Sequence, residues 1–329
     1  MSKRVTILDV AAAAGVSRQT VTRAMNGMSD ISETTRARVL ATAERLGYRP
    51  SRFARNLVNR KKTHAMGLVV ASFRNPYFTE IAADLLSVAG ERGWQMAMAA
   101  SEGRAEDSIG VLTNQVDVIV GHFTGSDAVL RAASGGLPVV RLESRGTELG
   151  VHSVELDLES GVVEAVSALR ARGARRFGMV DSTSSRNALG EYTPSLRRIW
   201  FEQAAGDQLA GGVVGEETIA GGAQAFARLL EAHPETDAVL MFNDLMALGA
   251  VQHAHAHGID VPGRVRIVGV DGLSLGEAVD PRLTSIALDR LGLASHTLDI
   301  VDELAAADFA DVPSIHRAVR SKLLWRDSA

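Results

Sequence analysis

Between residues 64 and 288 of this 329-residue chain, short apolar runs return nine times: 64–72, 94–100, 116–121, 138–143, 153–157, 175–181, 237–242, 265–271 and 283–288. Amphipathic stretches such as 77–92, 160–172 and 244–257 lie between several of them. A strand that is apolar along its whole length must be covered on both faces, and crossover helices supply that cover. The rhythm therefore predicts parallel sheets flanked by helices. About 265 residues are enough for two such Rossmann-like lobes. Hydrophobic residues make up 46% of the chain, so both cores can be filled. Cysteine is absent, which excludes disulfide frameworks, thiol nucleophiles, iron–sulfur clusters and zinc fingers. No run reaches a membrane-spanning length and no secretory signal is visible before residue 15, so a soluble, intracellular protein is expected.

The formal net charge of −4 averages two unlike parts. Residues 1–62 hold thirteen Lys/Arg against four Asp/Glu, a net of +9, and the remaining 267 residues carry −13. A short basic head on an acidic body is the electrostatic pattern of nucleic-acid binding, although charge alone also allows a solvated arm. The head is patterned as well as basic. Thr6 with Asp9 forms a capping box for a helix over 7–14 that Gly15 stops. Ser17 caps a second helix ending near Met25, and Ser32 starts a third that runs through Leu46 to Gly47. Leu8, Val10, Ala11, Val16, Val21, Val39 and Leu46 are expected to close one small core, with Leu40 and Ala43 on the same face of the third helix. That arrangement turns Ser17, Arg18, Gln19, Thr22 and Arg23 outward, and these are groups suited to base edges and phosphates. Residues 50–62 place Phe53, Ala54, Leu57 and Val58 on one stripe only about two turns long, which is marginal alone. Such a helix would fold against a copy of itself and DNA, with Leu57 as a minor-groove wedge; a plain linker is the alternative.

The strings VTILDVAAAAGVSRQTVTRAMNG, ISETTRARVLATAERLGYRP and ARNL closely resemble the lactose-repressor (LacI/GalR) family of transcription regulators. The resemblance implies a small all-α helix-turn-helix head on a bilobal, periplasmic-binding-protein-like α/β body. It implies that the Ser17 helix lies in the major groove, that Arg18-Gln19 set operator preference, and that Ala54, Arg55 and Leu57 meet the minor groove. The candidate DNA-contacting set is Thr6, Ser17, Arg18, Gln19, Thr20, Thr22, Arg23, Asn26, Ala54, Arg55 and Leu57. The expected domains are 1–49 (head), 50–62 (hinge) and 63–329 (body). The body divides into lobes of 63–157 plus 288–312 and of 158–287 plus 313–329. The expected partners are double-stranded operator DNA, a second copy of the chain and a small-molecule effector, sugar-like or another metabolite. With no heptad tail after Trp325, a dimer is expected rather than a coiled-coil tetramer.

Ligands of open α/β sheets bind beyond the carboxyl ends of strands, which draws attention to Asn75, Glu143, Asp157, Asn243-Asp244 and Asp271. The family resemblance adds Tyr77 and Phe78 as stacking residues, and Arg197, Asn243 and Asp271 as hydrogen-bonding ones. Asn243 and Asp271 also suit strand-end caps, and Tyr77 also suits core packing. The sequence departs from the family pattern at Trp200, where a glycine is usual, at apolar Leu288, and at Glu143-Ser144, where an acid–arginine pair is usual. The candidate effector set is Asn75, Tyr77, Phe78, Glu143, Arg197, Trp200, Asn243, Asp271 and Leu288.

Two enzymatic signals need weighing. Gly272-Leu273-Ser274-Leu275-Gly276 satisfies G-x-S-x-G after a strand, with His296 and His316 downstream, yet the pattern arises easily in a chain with 31 glycines. His253, His255 and His257 lack a carboxylate partner of the H-E-x-x-H kind. Gly211-Gly212 and Gly221-Gly222 bracket an expected loop, with no Walker lysine after them. The expectation is a sequence-specific repressor without metal, cofactor or catalysis. A serine hydrolase fused to a DNA-binding head and an effector-blind DNA binder are the alternatives.

Overall fold

A computed structural model describes residues 6–25, 28, 31–46, 63–101, 104–123, 125–186, 190–309 and 312–329. The head opens with α1 (Ile7–Ala14), whose capping box pairs the Thr6 side chain with Asp9 and whose end is Gly15 at φ 64°. Next come α2 (Arg18–Met25) and α3 (Glu33–Arg45), the latter capped by Ser32. Val10, Ala11, Ala14, Val21, Ala24, Val39 and Ala43 form the head's core. Leu8 and Leu40, expected inside, are 62% and 42% exposed, because alanines with less bulk already fill the three-helix contact. Residues 47–62, including the whole expected hinge, lie outside the described residues, as does Asn26.

The body contains two six-stranded sheets. Lobe 1 is built from β1 (Ala65–Val70), β2 (Gln95–Ala100), β3 (Val118–Gly121), β4 (Val139–Glu143), β5 (Val151–Asp157) and β11 (His316–Arg320). Their order is β11-β5-β4-β3-β1-β2, and every pair is parallel. Lobe 2 orders β12 (Lys322–Leu324), β10 (Thr284–Ala287), β9 (Arg266–Asp271), β8 (Ala238–Met241), β6 (Phe177–Ser182) and β7 (Leu209–Gly215), with only β12 antiparallel. The central strands β1, β3 and β8 are buried at every residue, as their continuous apolar runs require. Helices α4 (Pro76–Glu91), α5 (Ala105–Leu112), α6 (Asp127–Ala133) and α11 (Arg290–Ala306) pack on lobe 1. Lobe 2 is covered by α7 (Leu158–Ala171), α8 (Leu196–Ala205), α9 (Ile219–Ala232) and α10 (Asp244–Ala256).

One expectation is sharpened and one corrected. The glycines at 211–212 and 221–222 flank the loop at 216–218 but are themselves in regular elements, the first pair in β7 and the second in α9. Each fills a close contact: a Cβ at Gly211 would strike the His233 ring, and one at Gly222 the Met246 backbone. The stretch 313–329 is not confined to the second lobe. His316–Arg320 adds β11 to the first sheet beside β5, and the chain crosses at Ser321 before β12 joins the second. Ser321 ties this crossing to the β5–α7 crossing, its hydroxyl donating to the Asp157 carbonyl at 2.7 Å. The third crossing lies between β10 and α11.

Candidate functional site

On the head, burial of Val21 and Ala24 fixes which side of α2 faces out. Ser17, Arg18 and Gln19 are exposed, while Thr20, Thr22 and Arg23 are half-buried. Arg18, Gln19, Thr22, Arg23 and Met28 border a shallow concavity of about 550 Å³. Several hydroxyls already serve the backbone. Ser17 Oγ accepts from the Thr20 amide (3.1 Å), Thr22 Oγ1 donates to the Arg18 carbonyl (3.1 Å), and Thr6 is held in its capping box. Arg18 and Gln19 are the long side chains of this face that are exposed, and Arg23 is half-buried beside them. Ala54, Arg55 and Leu57 lie outside the described residues.

In the body, the carboxyl ends of the strands carry the expected acids. Glu143 ends β4 with φ 65° and Asp271 ends β9 with φ 120°, both in the region that ordinarily favours glycine. Non-glycine residues hold such conformations where the surrounding structure forces them to, and functional clefts are frequent hosts. The Tyr77 hydroxyl donates to Glu143. The Tyr77 ring is 3% exposed and packs into the lobe 2 cluster with Leu288. Phe78 bridges the lobe 1 and lobe 2 clusters, edge-on to Tyr77 at 5.4 Å. Asn75 caps α4, its Oδ1 accepting from the Tyr77 amide at 3.0 Å.

From lobe 2, the Arg197 guanidinium donates to the Phe242 carbonyl and lies 4.5 Å from that ring's centre. Trp200, half-buried, packs against the same cluster as Tyr77. Asn243 is the N-cap of α10, with Oδ1 accepting from Met246 at 2.9 Å and Nδ2 3.4 Å from Glu217. One acceptor and one donor position of its amide thus serve the fold. Asp271 is 2% exposed, and its Oδ2 has no hydrogen-bond partner. Burial pushes its carboxyl well above the usual range, Arg197 opposes that shift, and Asp244, Glu143 and Glu217 reinforce it. Asp157, by contrast, caps α7 through the Ser160 amide at 3.1 Å.

Residues 6–51 match the family of bacterial regulatory proteins of the lacI type, and residues 166–329 match a periplasmic binding protein-like domain. Catabolite control protein A of Priestia megaterium is 31% identical over 290 residues, covering 86% of this chain and 87% of that protein. The chain belongs to the LacI family. Another relative is the HTH-type transcriptional regulator AscG of Escherichia coli K12, 29% identical over 98% of each chain. Among solved structures, a LacI-family regulator from Arthrobacter sp. FB24 in complex with lactose superposes with a TM-score of 0.71 at 26% identity, over 80% of this chain and 98% of that one. The lac repressor dimer bound to operator and the anti-inducer ONPF shares the fold along 99% of each chain, with a TM-score of 0.74 and 24% identity.

This LacI-family chain is accordingly a transcriptional regulator with a DNA-binding domain and an effector-binding domain. Several of its cleft residues escaped the sequence reading. His122 follows β3, with Nε2 3.8 Å from Glu143 and a buried, unpartnered Nδ1. Asp181, buried at the end of β6, accepts from the Tyr192 hydroxyl (2.7 Å) and the Ser195 amide (3.0 Å). Glu217, after β7, accepts from the Ser182 hydroxyl at 2.6 Å. The strand-end rule that found Glu143 and Asp271 applies equally to His122 and Asp181, so the signal was present. Glu217 follows a strand that glycines concealed.

The G-x-S-x-G loop serves another purpose. Ser274 Oγ donates to Glu80 Oε1 of α4 at 2.9 Å, and the other Glu80 oxygen lies 2.8 Å from Arg290. The Ser274 hydroxyl is thus engaged by a carboxylate across the lobes, and among the described residues no histidine is hydrogen-bonded to it. His253 and His257 stack at 4.0 Å, and no group of three metal-ligating side chains occurs among the described residues. None of the described helices is long and apolar enough to cross a membrane.

Proposed function

We propose that this LacI-family regulator is a cytoplasmic, nucleoid-associated repressor that binds a pseudo-palindromic operator as a homodimer. A small-molecule effector, sugar-like or a related metabolite, taken up between the lobes would modulate that affinity. The observation that carries the reading is the outward Ser17-Arg18-Gln19 face of α2, presented by a head whose apolar side is already consumed. Arg suits bidentate recognition of guanine, and Gln that of adenine. Two heads would occupy successive major-groove half-sites, while residues 50–62 of each chain pair as hinge helices with Leu57 at the centre. The lactose complex of the Arthrobacter regulator and a cellobiose complex of CelR, 25% identical to this chain, support a sugar-like effector. Effector closure would alter the relative angle of the lobes and thereby bias hinge folding.

Selection of bound sequences from random DNA tests the reading. A two-fold symmetric consensus is expected, and Arg18→Ala should relax preference at one base pair per half-site at a cost of about 1–3 kcal/mol. A uniform loss of affinity over all sequences, with a flatter salt dependence, would reduce Arg18 to a phosphate contact.

A further inference from the structure

The polar groups of the cleft do not balance in charge. Glu143, Glu217 and Asp181 all accept hydrogen bonds, but the donors are the Tyr77 hydroxyl, the Ser182 hydroxyl with the Asn243 amide, and the Tyr192 hydroxyl with the Ser195 amide. All of these are neutral. They satisfy lone pairs and bring no positive charge. The nearby basic side chains are Arg197, which acts on Asp271 while donating to the Phe242 carbonyl, Arg198, which donates to the Tyr192 hydroxyl at 3.0 Å, and His122, 3.8 Å from Glu143. A second observation points to a missing donor. Asp271 is buried at the end of β9, and its Oδ2 has no partner although the residue is held at φ 120°. Across the cleft, the Nδ1 of His122 is likewise buried and unpaired. When Nε2–H faces Glu143, that nitrogen is an acceptor. His122 Nδ1 and, once Asp271 is ionised, its Oδ2 are therefore open to hydrogen-bond donors, and the surrounding carboxylates favour a cation.

We propose that the effector carries a protonated amine: a small hydroxylated amine of the amino-sugar class, whose ammonium is taken up among Glu143, Glu217 and the open oxygen of Asp271. The proposal rests on the reading that the cleft takes an effector, and it narrows that effector's chemistry. An ammonium brings three donors and one positive charge to a site short of both. A neutral polyol supplies donors and leaves the negative excess buried, and a sugar phosphate or sugar acid adds to the excess. Phe78 and Trp200 remain as apolar cover for the carbon skeleton.

The proton balance supplies a readout independent of affinity. Burial raises the Asp271 carboxyl and so favours its neutral form, with Arg197 from α8 opposing and Asp244 from α10, Glu143 from β4 and Glu217 ahead of α9 reinforcing. An ammonium entering beside it favours the ionised form, so up to one proton per site passes from the Asp271 carboxyl to the buffer.

The test uses the full chain and a panel of glucosamine, galactosamine, their N-acetylated forms, glucose, galactose and glucose 6-phosphate. Binding is measured calorimetrically near pH 6.5 in two buffers of different ionisation enthalpy, and in parallel as a change in affinity for the selected DNA site. At least one free amine should bind ten-fold or more tighter than its N-acetylated and unaminated counterparts, with proton release. Glu217→Gln and Glu143→Gln should each reduce that advantage. Equal or tighter binding of a neutral or phosphorylated sugar overturns the amine and leaves the effector-site reading standing. So does amine binding without proton release. Failure of every free amine to bind also overturns the proposal. If, in addition, no panel member changes DNA affinity, the effector reading itself loses support.

Discussion

His152 opens the second residue of β5 with its ring sealed from solvent (1% exposed) and its Nδ1 accepting the Ile315 amide at 3.1 Å. Burial, aided by the neighbouring His316, lowers its pKa to about 4. Between that value and the ordinary 6.5, the unfolded chain binds a proton that the folded chain refuses, so stability falls as pH drops through this window. The full effect is at most about 3 kcal/mol. Asp244 acts in the opposite sense over nearly the same range. Burial raises it to about 7, so what it contributes is complete below its ordinary 3.8 and is lost as pH rises toward 7. Wild type must therefore be compared with His152→Asn by denaturant unfolding between pH 4 and 7. The wild-type curve should fall more steeply toward acid, and identical slopes would remove His152 from the account. At this scale the sequence disclosed which residues end strands, and hence Glu143 and Asp271. It did not disclose which of two adjacent aromatics turns inward. Tyr77 and Phe78 are consecutive on α4, and only the packing of lobe 2 against that helix decides that Tyr77 is the one enclosed.

Helices α9 and α10 approach closely because glycines face them on both sides. A Cβ on Gly249 would run into the Ile219 carbonyl and the Ala223 amide, neither of which is a side chain able to step aside. Gly249→Ala should destabilise the protein by about 1–3 kcal/mol in urea unfolding, as overpacking does. The same exchange at Gly110, in α5 with nothing within 4 Å of the added carbon, should instead stabilise by about 0.4–1 kcal/mol. A loss of similar size at both positions would show that the close contact at Gly249 does not set the sign of the effect. These glycines also explain what the sequence concealed. Leu209–Gly215 has three glycines in seven residues, which breaks the apolar run by which the other strands were recognised. The head helices were plain because capping residues, turn glycine and periodicity agreed, and only the bulk at Leu8 and Leu40 was misjudged.

For the whole molecule, the division into a basic head and a two-lobed acidic body was legible in charge and in strand rhythm. The sharing of residues 313–329 between lobes was not, since strands of five and three residues carry too little pattern to assign. Nor did the sequence show that the lobes touch through Ser274, Glu80 and Arg290. That contact links the residue three after Asp271 to the residue three after Tyr77, so both walls of the cleft are tied to it. Ser274→Ala should remove about 1 kcal/mol of interlobe attraction and broaden the distribution of lobe separations. Because the chain has no native cysteine, one introduced in each lobe can carry dyes, and energy transfer reports the width directly. An unchanged distribution would show that the crossings alone hold the lobes. The three crossings have a further consequence for synthesis on the ribosome. Strands β11 and β12 emerge after all other strands of both lobes, yet each completes an edge of a different sheet. Neither lobe can close its sheet early and wait for the other, so a message interrupted before residue 316 leaves two unfinished edges in one nascent chain, a substrate for chaperones and proteases rather than a half-working sensor.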